Sequence, residues 1–384
     1  MAMQLETNSF VTPRPVALVT YDHPVAGTTV EQRGSAPPLV PIVDVSAWGG
    51  ADGATNAEIA AAVDDACRTV GFMQIVGHGI PTAVVDGLAG AIDWFFALPI
   101  DEKRRSMSPR PSINRGYTPP RSERLSYSLG VVSPDDLFEA FNVGAAVSDF
   151  PHLCLDPEIY AENIWPDGPG GVAYRDGVLT WMASAGRVAR TMTSIFAAAL
   201  GLPRGHFEPF TDHSIDVLRM NHYDVPVGVE VGESQMGMGA HTDYGIVTVL
   251  WADPVPGLEI LRADGSWLPI TPAPGALLIN LGDLTARWSN DRWLSTMHRV
   301  VPPRDAAGTL IRRRSAAFFH DGNADAVIST LEPCRSADGS SSYDDVTVGE
   351  HLAHKLSGSR GLELNAHATR EASRLRDDVG SSTP

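Results

Sequence analysis

The sequence lacks the long apolar runs and the basic excess that mark several classes of protein. No stretch approaches the roughly 20 apolar residues that a membrane-spanning helix needs, and no basic segment precedes an apolar run as in a signal peptide. The formal net charge of −17 argues against nucleic acid or an anionic membrane as partner, because both favour basic surfaces. We therefore expect a soluble, cytoplasmic protein that is a monomer or a weak homo-oligomer.

Cysteine is scarce as well. Cys67, Cys154 and Cys334 are widely spaced and odd in number, so they provide neither a CxxC pair nor a disulfide framework. This pattern suits a reducing compartment. What remains is ordinary for a globular chain: 43% of the residues are hydrophobic and 20% are charged, within the usual range for such proteins.

The hydrophobic pattern divides the chain into four regions. Residues 1–38 have no helical period and are interpreted as an N-terminal arm, and 39–200 as a mixed α/β region with helices at 56–70, 82–97 and 177–200. From Val217 the period changes to short strands separated by turns, typical of a sandwich or barrel core over 201–330. In that core we expect a hairpin of strands 284–289 and 292–301. Residues 331–384 are expected to form a loop, a helix and a tail.

The motif His241-Thr242-Asp243 is the first candidate site. On a strand, side chains at positions i and i+2 point to the same face, so His241 and Asp243 can reach one ion while Thr242 faces away. His298 lies on another predicted strand that a barrel can bring alongside. Two imidazoles and one carboxylate are the ligands that hold non-haem Fe(II) and leave other coordination positions open. Zinc is the alternative metal, although catalytic zinc prefers a tetrahedral setting.

The segment Arg312–His320 is the second candidate site. Alternation along a strand places Arg313 and Ser315 on one face and Arg312 and Arg314 on the other. An arginine and a serine two residues apart on a pocket wall could bind a carboxylate. The alternative is a basic outer face with solvated arginines, and the three successive arginines leave the register open by one residue.

Tyr223 offers a phenol to the same carboxylate, and Asn221 shares its face two residues earlier. The alternative for Tyr223 is a tyrosine of the core. Asp283 follows Gly282 at a predicted strand end, where stabilisation of a turn is its expected role.

Taken together, these motifs resemble the Fe(II)- and 2-oxoglutarate-dependent oxygenases of the isopenicillin N synthase-like superfamily. The resemblance extends over about residues 40–356 and rests on motifs in a fixed order: Gly71–Pro81, Asn114–Tyr117, Asn163–Pro166, Leu218–Tyr223, His241–Asp243, Asn280–Asp283, Arg287–Asn290, His298–Val300 and Arg313–Ser315. It implies an α+β fold with a mainly β core, a distorted double-stranded β-helix (jelly roll) flanked by helices.

The resemblance also implies an activity. His241, Asp243 and His298 would bind Fe(II), while Arg313 and Ser315, with Tyr223 and Asn221, would bind 2-oxoglutarate as co-substrate. With O2, such an enzyme hydroxylates, desaturates or cyclises a small molecule and releases succinate and CO2. The alternatives are an isopenicillin N synthase-type oxidase that does not use 2-oxoglutarate, and a binding or sensing protein without turnover. Loops at 115–126 and 224–237, Phe141 and the C-terminal segment are expected to select the substrate, with a role in secondary metabolism.

Overall fold

The computed structural model describes residues 40–110, 112–225, 230–232, 234–360 and 363–365. The predicted N-terminal arm (1–38) and the tail from residue 366 lie outside these residues. The acidic loop at 224–237 is described only in part.

The helices follow the predicted apolar periods closely. Helix α1 begins after Asp52, whose carboxylate accepts a hydrogen bond from Ala54 N at 3.0 Å and so caps the helix. The longest helix begins at Gly171, six residues earlier than the sequence predicts, after Gly170 in a left-handed conformation (φ 96°). Within the described residues, no helix combines the length and the apolarity required to cross a membrane. The helices are α1 (Gly53–Thr69), α2 (Thr82–Phe96), α3 (Ile100–Arg104), α4 (Gly171–Ala199), α5 (Asp283–Trp288) and α6 (Val348–Ser359).

The strands are short, as the change of period after Val217 predicts. They are β1 (Ile42–Asp44), β2 (Phe72–Val76), β3 (Gly116–Thr118), β4 (Glu139–Gly144), β5 (Val217–Tyr223), β6 (Met238–His241), β7 (Val247–Ala252), β8 (Leu258–Leu261), β9 (Trp267–Pro269), β10 (Leu277–Leu281), β11 (His298–Val300), β12 (Arg313–His320), β13 (Val327–Ile328) and β14 (Val346–Thr347).

Two sheets form the β core. The larger sheet has the strand order β1-β2-β10-β7-β12-β5-β4-β3, and the smaller has the order β6-β11-β8-β9. Four strands of the larger sheet come from the 39–200 region, so this region contributes to the sheet as well as packing on it.

Apolar side chains on opposite faces of the larger sheet belong to different clusters. On the outer face, Leu218, Met220, Ala316 and Phe318 pack in the same cluster as buried residues of α1, α2 and α4. On the inner face, a smaller cluster joins residues of both sheets; among its members are Phe72, Tyr223, Leu278, Met238, Leu258, Ile260 and Val300. The layers are therefore helices, larger sheet and smaller sheet, with the second cluster between the sheets.

The predicted hairpin over 284–301 is wrong in its first half. Residues 283–288 form the helix α5, and only His298–Val300 of the second half is a strand. The expected turn is present, with Asn290 (φ 53°) and Asp291 (φ 60°) both left-handed. Helix α5 is held against β7 because Thr285 Oγ1 donates a hydrogen bond to Ile246 O at 2.7 Å, a tertiary contact that overrides the local pattern.

Candidate active site

His241 and His298 meet because their strands pair directly. His241 ends β6 and His298 begins β11, and the two are partners in the antiparallel ladder, with ring centroids 4.3 Å apart. Asp243 lies two residues past the end of β6, with its Oδ1 3.8 Å from His241 Nε2 and 3.6 Å from His298 Nε2. The three ligand atoms all lie within 4.8 Å of one another. The structure therefore brings the predicted triad to one buried point.

Both imidazoles are oriented by backbone carbonyls. His241 Nδ1 donates to Gly239 O at 2.8 Å, and His298 Nδ1 donates to Thr296 O at 3.1 Å. These bonds direct the Nε2 atoms towards the shared point, an arrangement that usually fixes the tautomer of metal-binding histidines. Burial and the neighbouring His298 lower the pKa of His241 to about 3. This imidazole is consequently neutral at physiological pH, with a lone pair available for a metal.

The carboxylate of Asp243 is held by two neighbours. Thr248 Oγ1 and Asn280 Nδ2 both donate to its Oδ2, at 2.5 and 2.6 Å. The remaining oxygen, Oδ1, is the one that faces the two imidazoles. No sequence pattern predicts this role for Thr248, and Asn280 was predicted only as part of the motif Asn280–Asp283.

Thr242 faces away from the triad, as alternation predicts, and its Oγ1 donates to Asp283 Oδ2 at 3.2 Å. Asp283 does more than stabilise a turn: it accepts a hydrogen bond from Ser295 Oγ at 2.7 Å and pairs with Lys355 of α6 at 2.8 Å. Burial opposes ionisation of Asp283, but Lys355 and the nearby His351 outweigh it and lower its pKa. Through Lys355 and Asp283, helix α6 is thus linked to Thr242, which lies between the candidate ligands His241 and Asp243. No local sequence pattern predicts this long-range contact.

Arg313 is the buried arginine of the three. It is 2% exposed, and its Nε and Nη1 have no hydrogen-bond partner. Its guanidinium lies 5.2 Å from the centroid of the Tyr223 ring, and burial lowers its pKa. Among the described residues no carboxylate pairs with it, and a buried cation without an anionic partner is costly unless an anion binds to it. The residues present therefore fit a carboxylate ligand such as that of 2-oxoglutarate.

The contacts of Arg312 and Arg314 show which of the three arginines faces the cavity, a question that the sequence leaves open. Arg314 Nη2 pairs with Asp253 at 2.9 Å and its Nη1 with Asp93 of α2 at 2.7 Å, and Arg312 also pairs with Asp93, at 3.0 Å. Both therefore point away from the cavity: Arg314 is a partly buried ion pair, and Arg312 is an exposed one. Across the ladder, Arg313 is the partner of Tyr223, and Ser315 is the partner of Asn221.

A cavity of about 580 Å³ lies between the triad and Arg313 and is lined by both. The seven residues predicted for the metal and co-substrate line it together: His241, Asp243, His298, Arg313, Ser315, Tyr223 and Asn221. Its wall also includes the apolar side chains of Leu125, of Val217 and Leu258 from the two sheets, and of Leu352 and Leu356 from α6. Its volume lies within the range of pockets that take small organic ligands.

Comparison with known proteins gives the family. The sequence model of the 2OG-Fe(II) oxygenase superfamily matches residues 214–322, and the model of the non-haem dioxygenase in morphine synthesis N-terminal region matches residues 40–168. A 2-oxoglutarate-Fe(II) type oxidoreductase of Emericella nidulans, hxnY, is 32% identical over 352 residues, 91% of this chain and 99% of the relative. The chain belongs to the 2OG-Fe(II) oxygenase superfamily.

Further relatives of this oxygenase include the validamycin A dioxygenase of Streptomyces hygroscopicus subsp. limoneus, 32% identical over 82% of this chain and 85% of the relative. Full-length Neurospora crassa T7H, solved in complex with alpha-KG (2-oxoglutarate) and 5-formyluracil, has a TM-score of 0.72 at 26% identity. That similarity covers 83% of this chain and 96% of T7H. The predicted family and the jelly-roll core flanked by helices are confirmed.

The oxygenase uses Fe(II), 2-oxoglutarate and O2 and acts on a small molecule. When bound, iron and 2-oxoglutarate supply the chemistry that couples oxidation of the substrate to the release of succinate and CO2.

The segments expected to select the substrate differ in their positions. Arg115, Glu123 and Leu125, from the 115–126 loop, line the cavity, as do residues of α6. Phe141 does not: it packs on the outer face of the larger sheet against Phe95, with ring centroids 4.6 Å apart. The expectation for Phe141 was wrong because adjacent residues on β4 face opposite sides of the sheet.

Proposed function

We propose that His241, Asp243 and His298 hold the iron of this oxygenase, and that Arg313 binds the distal carboxylate of 2-oxoglutarate. The observation that carries the proposal is the guanidinium of Arg313, which has two nitrogens without a hydrogen-bond partner and is buried in the same cavity as the triad. The iron would be bound on one side by two Nε2 atoms and Asp243 Oδ1, leaving open positions for the co-substrate and O2.

The other predicted contacts support this arrangement. Ser315 follows Arg313 by two residues on the same face of β12, so its hydroxyl can share the carboxylate. Tyr223 lies opposite Arg313 in the ladder. Asn221 accepts a hydrogen bond from Arg219 Nε at 3.0 Å through its Oδ1, which leaves its amide N–H groups to donate to a ligand. The apolar wall around these groups limits access of water to the co-substrate.

The reaction we propose is hydroxylation, desaturation or cyclisation of a small molecule, in secondary metabolism. Relatives carry names as different as homoarginine-6-hydroxylase, from rice, and validamycin A dioxygenase, which is consistent with a shared core and variable cavity walls. We also propose a cytoplasmic monomer or weak homo-oligomer that does not bind nucleic acid, supported by the charge of −17 and by three free cysteines.

The test is a coupled assay on protein loaded with Fe(II) under nitrogen. Candidate small molecules are screened for succinate release on admission of O2, with and without 2-oxoglutarate. We expect one succinate per product formed and no product when 2-oxoglutarate is left out. Oxidation at the full rate without 2-oxoglutarate would favour the isopenicillin N synthase-type alternative and contradict the proposal.

A further inference from the structure

A second set of buried charges lines the cavity beside the co-substrate residues. It consists of Glu123, Arg219 on β5 and Arg360 just after α6, all of which line the cavity. Arg219 precedes Asn221 by two residues on the same face of β5, which is about 7 Å along a strand. This set is therefore about one strand step from the residues proposed to bind 2-oxoglutarate, within the span of a small substrate.

The two oxygens of Glu123 have different surroundings. Glu123 is 4% exposed, and its Oε2 accepts a hydrogen bond from Arg219 Nη2 at 2.7 Å. Its Oε1 is buried without a hydrogen-bond partner; Arg360 Nε lies 3.7 Å from it, beyond hydrogen-bonding distance. A buried carboxylate oxygen in this state indicates a missing donor.

The groups around Glu123 are already committed. Asp136 accepts hydrogen bonds from the backbone N–H groups of Leu125 and Gly239. Arg115 donates to three backbone carbonyls, and Arg360 Nη1 donates to Asn114 Oδ1. Among the described residues, Glu123 Oε1 is a buried acceptor without a hydrogen-bond partner, and so is Asn142 Oδ1 on β4, which does not line the cavity. The Nε of Arg360 lies 3.7 Å from Glu123 Oε1 and donates no hydrogen bond to a described residue.

The charge balance narrows the ligand. Glu123 lies between two arginines, so this set has a net positive charge that disfavours a cationic ligand, and an anionic group would face the unsatisfied Oε1 itself. A neutral group that carries a donor and an acceptor on adjacent atoms of one edge satisfies both free atoms without adding charge. A cyclic amide has this edge, since its ring holds N–H and C=O on the same side. The apolar residues Leu125, Val217 and Leu356 of the same wall suit the rest of such a ring.

We propose that Glu123 and Arg360, supported by Arg219, are the substrate-recognition site of this oxygenase and bind the N–H and C=O edge of a cyclic amide. The N–H donates to Glu123 Oε1 and the carbonyl accepts from Arg360 Nε. The inference rests on the proposed function, because it presumes that the other wall of the cavity binds iron and 2-oxoglutarate.

The experiment uses 2-pyridone, which has the amide edge, and N-methyl-2-pyridone, which lacks the donor. Each is titrated by calorimetry into full-length protein loaded with Fe(II) and 2-oxoglutarate under nitrogen. We expect 2-pyridone to bind, and the N-methyl compound to bind about tenfold more weakly or worse, as for loss of a hydrogen bond to a buried charged group. Equal affinities, or no binding of 2-pyridone at millimolar concentration, would overturn the proposal.

Variants separate recognition from folding. Glu123→Gln should remove the preference for 2-pyridone, and Arg360→Gln should weaken 2-pyridone binding without restoring that of the N-methyl compound. The matched control is Glu259→Gln, which removes a carboxylate bonded to Arg299 at 2.8 Å and located outside the cavity lining; we expect it to bind both probes like the wild type.

Titration of 2-oxoglutarate in parallel distinguishes the two proposals. If Glu123→Gln binds 2-pyridone normally while 2-oxoglutarate also binds, the recognition site is wrong and the proposed function stands. If Glu123→Gln loses 2-oxoglutarate as well, the carboxylate supports β5 rather than the substrate, and the recognition site is again overturned. Whether the cavity binds 2-oxoglutarate at all is tested separately with Arg313→Met.

Discussion

The two faces of the paired strands β5 and β12 carry similar polar residues in different states. On the outer face, His222 bonds to Glu139 at 3.0 Å and stacks on Phe96, and Arg314 is bonded to two aspartates. On the inner face, Arg313 has two nitrogens without a partner. Adjacent arginines of β12 therefore differ: Arg314 is paired towards the helices, and Arg313 keeps two unsatisfied nitrogens towards the cavity.

This difference separates stability from ligand binding. Buried polar groups are nearly always hydrogen-bonded in folded proteins, so the outer face shows what packing alone achieves in this chain. The inner groups depart from that rule at the point where the metal and co-substrate are proposed to bind. Unsatisfied buried atoms also occur away from the cavity, as at Trp181 Nε1 and His206 Nε2, so what marks the site is that those of Arg313 lie in the same cavity as the triad.

The largest effect is expected for the triad. His241→Ala, Asp243→Ala and His298→Ala should each lose bound iron and reduce succinate release to background, because each removes one of the three proposed ligands. The apolar cluster under the helices does not include them, so the fold should persist. The control is His222→Ala on the outer face, which should lose stability but retain iron. Metal analysis and circular dichroism measure both, and normal turnover in all three triad variants would refute the assignment.

The next effect compares adjacent arginines. Arg313→Met should raise the 2-oxoglutarate concentration needed for half-maximal rate by about 10- to 100-fold, the range for a lost hydrogen bond to a charged group. Its stability should be unchanged or higher, because an unpaired buried cation is removed.

Arg314→Met should show the reverse behaviour. It breaks a pair with Asp253 and leaves that carboxylate unpaired, which is expected to lower the free energy of unfolding by about 1 to 3 kcal/mol. The 2-oxoglutarate requirement should not change. Urea unfolding and a 2-oxoglutarate titration distinguish the variants, and similar effects of both on the titration would indicate the wrong register for β12.

A smaller, pH-dependent effect is expected at Asp136, whose carboxylate has backbone partners and is nevertheless unfavourable as an ion. Burial raises its pKa to about 7 from 3.8, so the folded state retains a proton that the unfolded chain has lost. Stability contributed by this group should therefore fall as pH rises from about 4 to 7 and stay constant above.

Asp136→Asn should flatten that part of the pH profile. The measured quantity is the difference in unfolding free energy between wild type and variant at pH 5, 6, 7 and 8, since other groups titrate in both proteins. A difference that does not vary with pH would mean that Asp136 is ionised throughout the range.

The smallest effect compares two tyrosines of the larger sheet. Tyr223→Phe should raise the 2-oxoglutarate requirement by about two- to tenfold, as for one neutral hydrogen bond. Its stability should change little, because the hydroxyl donates only a long hydrogen bond, to Met238 Sδ at 3.9 Å, and otherwise faces the cavity residues Ser315 and Arg313. Tyr117 donates to Glu139 at 2.5 Å, so Tyr117→Phe should lower stability by about 1 to 3 kcal/mol and leave the co-substrate requirement unchanged. The same unfolding and titration measurements test both, and a reversed outcome would place the co-substrate elsewhere.

Much of the site was predictable because the alternation of side chains along a strand follows directly from the order of consecutive residues. Alternation along a strand placed Arg313 beside Ser315 and Tyr223 beside Asn221, and the structure has all four on the cavity wall. The same alternation along β5 places Arg219 on that wall, two residues before Asn221. Helix α5 was missed because six residues carry too little periodicity to tell a short helix from a strand.

The sequence by itself determined which side chains share a face, since the periods of strands and helices are properties of consecutive residues. Only the tertiary structure decided which faces meet: the pairing of His241 with His298, the bonds from Thr248 and Asn280 to Asp243, and the contact of Glu123 with Arg360. These contacts join residues that are distant in the chain. Burial and hydrogen bonding in the folded core select these partners. No local sequence pattern indicates them.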